Sequence, residues 1–269
     1  MATVSWLGSR LNLTRDRELN RRFTRISEFP SRLNGLASFR DSFSAGVRFV
    51  TTLIASANHD TTGAVSINLR HADGVSNRLD AWIDFNRDGD WLDPGEPTFT
   101  NYDLGLGNGE RVLPFTIPLG ASIGDTFARF RVSTAGGLAP AGLANDGEVE
   151  DQRVPIVAFG QPVDVTLAAN RATVELVRID DQLIIRRRGL TLFSMPADGA
   201  GPLTLAGSLL ADVFEVSPDI TTPVVLDGGA GTDRVLMSAH LNVNLTDALL
   251  SVAGVSPISL LSIEATSPT

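Results

Sequence analysis

Leu79-Asp80-Ala81-Trp82-Ile83-Asp84-Phe85 runs directly into Asn86-Arg87-Asp88-Gly89-Asp90-Trp91-Leu92-Asp93-Pro94-Gly95-Glu96. In the first stretch Leu79, Ala81, Ile83 and Phe85 recur at every second position, the period of a strand with one face on a core. The second stretch is crowded with Asp, Asn, Gly and Pro, residues that close turns through side-chain hydrogen bonds or special backbone angles. A strand that ends in an acidic turn is therefore the unit from which the rest of the chain can be read.

The same alternation returns in Val65-Ser66-Ile67-Asn68-Leu69, in Glu110-Arg111-Val112-Leu113-Pro114-Phe115-Thr116-Ile117 and in Thr126-Phe127-Ala128-Arg129-Phe130-Arg131-Val132-Ser133. Gly, Asn, Asp and Pro clusters separate these segments, and no helical period falls between them, which predicts an antiparallel β-sandwich over residues 41–158. A break at Gly160 and Pro162 opens a second block, with strands expected at Thr173–Ile179 and Gln182–Ile185. The fold class read from the sequence is all-β: an antiparallel β-sandwich, then a small β-rich domain at 159–269.

All 22 cationic residues are Arg, against 31 acids, for a net charge of −9. Residues 1–40 carry eight of those Arg and only Asp16, Glu18 and Glu28 as acids, with no sustained period, so they read as a poorly ordered basic arm. The acidity belongs to the remainder, and an acidic, Lys-free surface argues against nucleic acid as a partner. Zero Cys excludes a disulfide framework, a zinc finger and a thiol nucleophile. No window approaches the run of about 18–20 apolar residues that a membrane span needs. The first ten residues lack the apolar stretch of a signal peptide, so either the protein is cytosolic or the chain begins downstream of its export signal.

The Asp84–Glu96 stretch carries the most specific chemistry. A hard cation such as Ca²⁺ takes six to eight oxygens. Asp84, Asn86 and Asp88 stand at the first, third and fifth places of a calcium-type loop, Gly89 permits the sharp turn, and Asp90 can offer its carbonyl. The place where an EF-hand has its last carboxylate is Gly95, so the carboxylate arrives one residue late, at Glu96, and a strand precedes the loop instead of a helix. An Asp/Asn/Gly hairpin connection without metal is the alternative. Against it stand five carboxylates in thirteen residues, which repel one another without a cation.

A second acidic stretch is Asn145-Asp146-Gly147-Glu148-Val149-Glu150-Asp151. With Val149 turned inward on a strand, Glu148 and Glu150 share the outward face. They either form a cross-strand ladder with Arg129 and Arg131, or, with Asp151, complete the oxygen shell of the Asp84 loop. Paired catalytic carboxylates would need a cleft and a raised pKa.

Taken together, Leu79–Trp91, Ala128–Ser133 and Asp146–Asp151 resemble the GEVED domain, over roughly residues 41–157 with the three blocks in order. The resemblance implies a β-sandwich from a bacterial secreted or surface protein, without established catalytic activity. Further on, Asp227-Gly228-Gly229-Ala230-Gly231-Thr232-Asp233-Arg234-Val235-Leu236 is similar to the RTX nonapeptide. In that repeat calcium sits between the turns of successive copies; one copy supplies about half a site, which makes Asp233 a weaker candidate ligand. With Ala211–Val216 and Leu241–Leu245, the motif points to a β-roll or β-helix-like C-terminal domain.

Gly120-Ala121-Ser122-Ile123-Gly124 matches the G-x-S-x-G nucleophile elbow, but that motif requires a following helix, and the next residues alternate as a strand. His59, His71 and His240 show no zinc-protease spacing. The functional expectation is a non-catalytic extracellular or cell-surface module, structural or adhesive, stabilised by calcium, with cell-surface or matrix components as partners. The alternative is a carbohydrate-binding or glycan-active accessory module that uses exposed faces of Trp82 and Trp91. A hydrolase lacks a nucleophile–base set.

Overall fold

The strand read at Leu79–Phe85 lies inside its sheet, paired on both sides. In the computed structural model, residues 44–70, 76–167, 173–237, 243–245, 249–252 and 257–263 are described; the basic arm, His71 and His240 lie outside them. Among the described residues there are nineteen strands and no helix. They are β1 (Ser44–Phe49), β2 (Leu53–Ala55), β3 (Thr61–Arg70), β4 (Ser76–Ile83), β5 (Pro97–Leu106), β6 (Gly109–Ile117), β7 (Gly124–Ser133) and β8 (Glu148–Ala158). Then come β9 (Val163–Thr166), β10 (Thr173–Ile179), β11 (Gln182–Arg187), β12 (Leu190–Pro196), β13 (Leu203–Ala206), β14 (Val213–Val216) and β15 (Val224–Asp227). The last are β16 (Arg234–Met237), β17 (Val243–Leu245), β18 (Leu249–Val252) and β19 (Ile258–Leu261). The chain is thus all-β, as its alternation and turn chemistry predict.

Two compact units can be distinguished. One takes the described residues up to 46 with 68–109 and 127–152; the other takes 47–67, 110–126 and 153 onward. In the first, strands run in the order β8-β7-β4-β5. β4 pairs antiparallel with β7, Leu79 opposite Val132, Ala81 opposite Phe130 and Ile83 opposite Ala128. On its other side it pairs antiparallel with β5, Leu79 opposite Tyr102 and Trp82 opposite Pro97, with register shifts between. Such bulges twist and bend an outer strand.

Leu79, Ala81, Ile83 and Phe85 are buried, as the period-two reading requires. The opposite face of β4 is buried too, at Asp80, Trp82 and Asp84, where the alternation alone predicts exposure. The Asp80 carboxylate accepts the amides of Asn101 (2.7 Å) and Leu138 (3.0 Å), which ties two flanking segments over that face. Arg131, expected to point to solvent, is covered likewise. Its Nη1 donates to Ala139 O (2.6 Å) and its Nη2 to Gly142 O (2.9 Å). Paired in this way, buried charge is tolerable; unpaired, it would cost several kcal/mol.

In the second unit the chain coils. β9, β13, β15 and β19 stack in parallel, and the register puts Val163, Leu203, Val224 and Ile258 in one row and Val165, Leu205, Leu226 and Leu260 in the next. β10, β14 and β16 form a second parallel stack, with rows Val174-Phe214-Val235 and Leu176-Val216-Met237. Leu203 pairs with Val224 and Val213 with Arg234, so one coil advances 21 residues. The inward residues of both stacks form one apolar core, each large side chain contributing about 1.5–3 kcal/mol of burial. The antiparallel β10-β11-β12 meander interrupts the coiling after its first turn. The geometry agrees with the β-roll or β-helix-like domain expected for this region.

Coil corners explain the Gly-rich motif. Gly207 and Gly228 occupy equivalent places in successive coils, and a Cβ on either would stand 2.4 Å from a backbone carbonyl of the next layer. Asp212 and Asp233, again 21 apart, are both buried. Asp212 accepts the Ser208 amide and Asp233 accepts the Asp212 amide, each at 2.6 Å. Asp233 therefore serves the coil's own backbone. Gly120–Gly124 is a turn leading straight into β7, and no helix follows.

Candidate metal centre

The acidic loop hangs between β4 and β5. Asp84 closes it at one end: its Oδ1 accepts the Arg87 amide (2.5 Å) and its Oδ2 the Gly89 amide (3.2 Å). Arg87 and Gly89 both have positive φ, 64° and 98°, so the chain reverses sharply beneath the carboxylate. The following side chains each accept the amide two residues on: Asn86 from Asp88 (2.8 Å), Asp88 from Asp90 (3.1 Å) and Asp90 from Leu92 (2.8 Å). This succession of Asx turns is what the Asp/Asn spacing encodes. Asn86 Nδ2 reaches the carboxylates of Asp93 (2.8 Å) and Asp88 (3.2 Å).

Glu96 closes the other end. Ile83 N donates to Glu96 O (3.0 Å), a ladder contact that returns the chain beside Asp84. The late carboxylate thus has a physical reason. An EF-hand loop leads into a helix, whereas here the thirteenth residue lies across a sheet from the first. Glu96 is only 2% exposed. Its Oε2 accepts the Asp93 amide (3.2 Å), while Oε1 is buried and has no hydrogen-bond donor among the described residues.

One oxygen each from Asp84, Asp88 and Glu96 lie within 4.8 Å of one another, and so do one each from Asp88, Asp90 and Asp93. Oxygens this close can share one hard divalent cation, whose ligands stand at about 2.0–2.6 Å from the ion. The electrostatics agree. Burial, then the charges of Asp84, Asp88 and Asp93, push the Glu96 carboxyl up to about 7. Burial raises Asp84 as well. Exposed Asp88 is held below the ordinary range, chiefly by the Asp90 amide. Two buried carboxyls that resist ionisation, beside one that ionises readily, are a donor set that a divalent cation would satisfy.

The structure thus brings together Asp84, Asp88 and Glu96 from the sequence-predicted set, with Asn86 and Asp90 in the same loop. It adds Asp93, whose only signal in the sequence is its place in the Asp-Pro-Gly-Glu turn. Glu148, Glu150, Asp151 and Asp233 fall in neither oxygen group. Glu148 Oε2 accepts the Ala45 amide (2.5 Å), and Glu150 lies half-buried on β8. Asp151 takes a two-pronged contact from Arg129 (Nε 2.6 Å, Nη2 2.5 Å), the fork-like geometry that Arg alone provides. Trp82 and Trp91 are buried, at 5% and 6% exposure.

No curated protein matches the chain. Among solved structures, the CARDB domain of the PF1109 protein from Pyrococcus furiosus is similar in two determinations. A solution NMR structure has 17% identity and a TM-score of 0.27, over 43% of this chain and 94% of that one. A crystal structure in complex with di-metal ions has 17% identity and a TM-score of 0.28, over 49% and 100%. HBP35 of Porphyromonas gingivalis shares 14% identity with a TM-score of 0.30, over 56% of this chain and 63% of that one. The family model of the GEVED domain matches residues 78–155, a span that holds the β4 strand, the acidic loop and the Asp146–Asp151 motif. Across those residues, the chain is similar to the GEVED domain.

Proposed function

We propose that this chain is a non-catalytic extracellular or cell-surface module, structural or adhesive, whose GEVED-like domain is stabilised by calcium at Asp84, Asp88 and Glu96. The observation that carries the reading is Glu96: a buried carboxyl with one oxygen lacking a donor among the described residues, set within 4.8 Å of oxygens from two further carboxylates. Asn86, Asp90 and Asp93 stand in the same loop and could supply further oxygens; bound there, the cation would neutralise the loop and fix its shape. The burial of Glu96 also weighs against a general acid, because a substrate could not reach it. A cation that binds only the folded state stabilises it by mass action, by about 2.7 kcal/mol at a hundredfold excess over Kd. Partners in this reading are cell-surface or matrix components.

The test is thermal unfolding in calcium, in magnesium and in chelator, for wild type and Asp88→Asn. A calcium-specific rise in midpoint that the variant lacks supports the reading, and identical midpoints in all three conditions refute it. The glycan alternative rested on exposed indoles; with Trp82 and Trp91 both covered, it has lost its stacking faces.

A further inference from the structure

The acidic loop shares its anchoring with a second segment, residues 134–147, which leads from β7 to β8 and holds no strand. Phe127 O, next to β7's Ala128, accepts both the Asp84 amide (3.0 Å) and the Trp91 indole N–H (3.3 Å). One carbonyl therefore fixes a candidate ligand and the loop's aromatic residue. Trp91 in turn lies under Arg129, whose Cζ is 4.6 Å from the ring centre, within cation–π range. Arg129 uses Nε and Nη2 on Asp151 and donates Nη1 to Pro140 O (3.0 Å). Its edge is thus committed to β8 and to the 134–147 segment, and its face to the acidic loop. The segment displays Leu143 at 89% exposure, a large apolar side chain held out on a loop.

Resting on the cation-site reading, we infer that cation binding at the Asp84–Glu96 loop is coupled through Trp91 and Arg129 to residues 134–147, so that calcium sets the order of that displayed segment. Without the ion, repulsion among the carboxylates loosens the loop and the seat of Trp91. Arg129 then loses the ring that holds its plane, and Pro140 loses a donor held in register. With the ion, both are fixed. Arg131 and Asp80 also grip the segment; if they suffice alone, the coupling is absent.

The experiment is hydrogen exchange with mass spectrometry on the full chain, in calcium and in chelator, for wild type and Arg129→Lys, which keeps the charge but loses the fork. In wild type, calcium is expected to slow exchange in peptides covering 84–96 and, by about fivefold or more, in peptides covering 135–147. In Arg129→Lys the first response persists and the second disappears. Protection at 84–96 with no change at 135–147 overturns the coupling and leaves the cation site standing. A calcium response at 135–147 that survives in Arg129→Lys overturns the route through Arg129. No protection at 84–96 overturns the cation site, and the coupling with it. Trp91→Phe, which keeps a ring under Arg129 but drops the N–H, is a second probe: it should weaken the response at 135–147 while that at 84–96 remains.

Discussion

Glu96→Gln should stabilise the cation-free protein and abolish its response to calcium. The folded chain raises this carboxyl from an ordinary 4.5 to about 7, burial first and then the neighbouring Asp84, Asp88 and Asp93 charges. The folded state therefore holds the Glu96 proton more tightly than the unfolded state. Stability falls as pH rises from about 4.5 to about 7 and is level above that. At about 1.4 kcal/mol per pH unit, the full penalty approaches about 3 kcal/mol. Gln keeps the shape and an oxygen for the Asp93 amide, and carries no charge to desolvate. Urea unfolding followed by tryptophan fluorescence suits the measurement, since Trp82 and Trp91 are buried in the same unit. In chelator at pH 8 the variant should be more stable than wild type by up to about 3 kcal/mol, and at about pH 4, below the unfolded-state value, the two should nearly coincide. Saturating calcium at pH 8 should raise wild type and leave the variant almost unmoved. A variant less stable than wild type in chelator at pH 8, or a calcium response equal in both, would refute the reasoning.

Calcium affinity should fall below pH 7, approaching a tenfold loss per pH unit as one proton competes for Glu96; titration calorimetry at pH 6, 7 and 8 checks it. Asp84→Asn should not cost stability in chelator at pH 8, because burial already disfavours this carboxyl's charge in the folded state, even though one of the Arg87 and Gly89 amides loses its acceptor. Asp88→Asn removes a charge that the Asp90 amide favours and should cost slightly there, and the contrast is read from paired denaturation curves. Gly147→Ala should destabilise by about 3 kcal/mol or more, since its Cβ would meet Val132 O at 1.9 Å from a φ of +105°; circular dichroism melting reports it. Gly228→Ala should loosen the coils, with its Cβ 2.4 Å from Ser262 O, and faster amide exchange around β15 and β19 would show it.

Alternation made the strands legible because it reports the face that meets the core. Leu79, Ala81 and Ile83 are buried as that pattern requires, and β10 spans Thr173–Ile179 as read. The pattern carries no information about what covers the other face. Asp80 and Arg131 look like solvent-facing residues until β5 and one long connection, residues 134–147, close over them, and both are held there by backbone amides and carbonyls, which every sequence possesses. The acidic loop was legible for the opposite reason: Asx turns are local, so spacing alone encodes them. Its closure is not local. Glu96 joins Asp84 only because β4 and β5 pair, and Arg129 selects Asp151 through the pairing of β7 and β8. The Gly-rich motif at Asp227–Leu236, similar in sequence to an RTX nonapeptide, forms a corner of a coil. Its carboxylate turns to the backbone of the preceding coil, because Asp212 presents an amide 21 residues earlier, a contact that one isolated repeat does not announce. The sequence thus announces each carboxylate's neighbourhood, while the sheet decides which carboxylates meet. That is why a cation site can be sought at Glu96, one place beyond where a helix-bounded loop would put it.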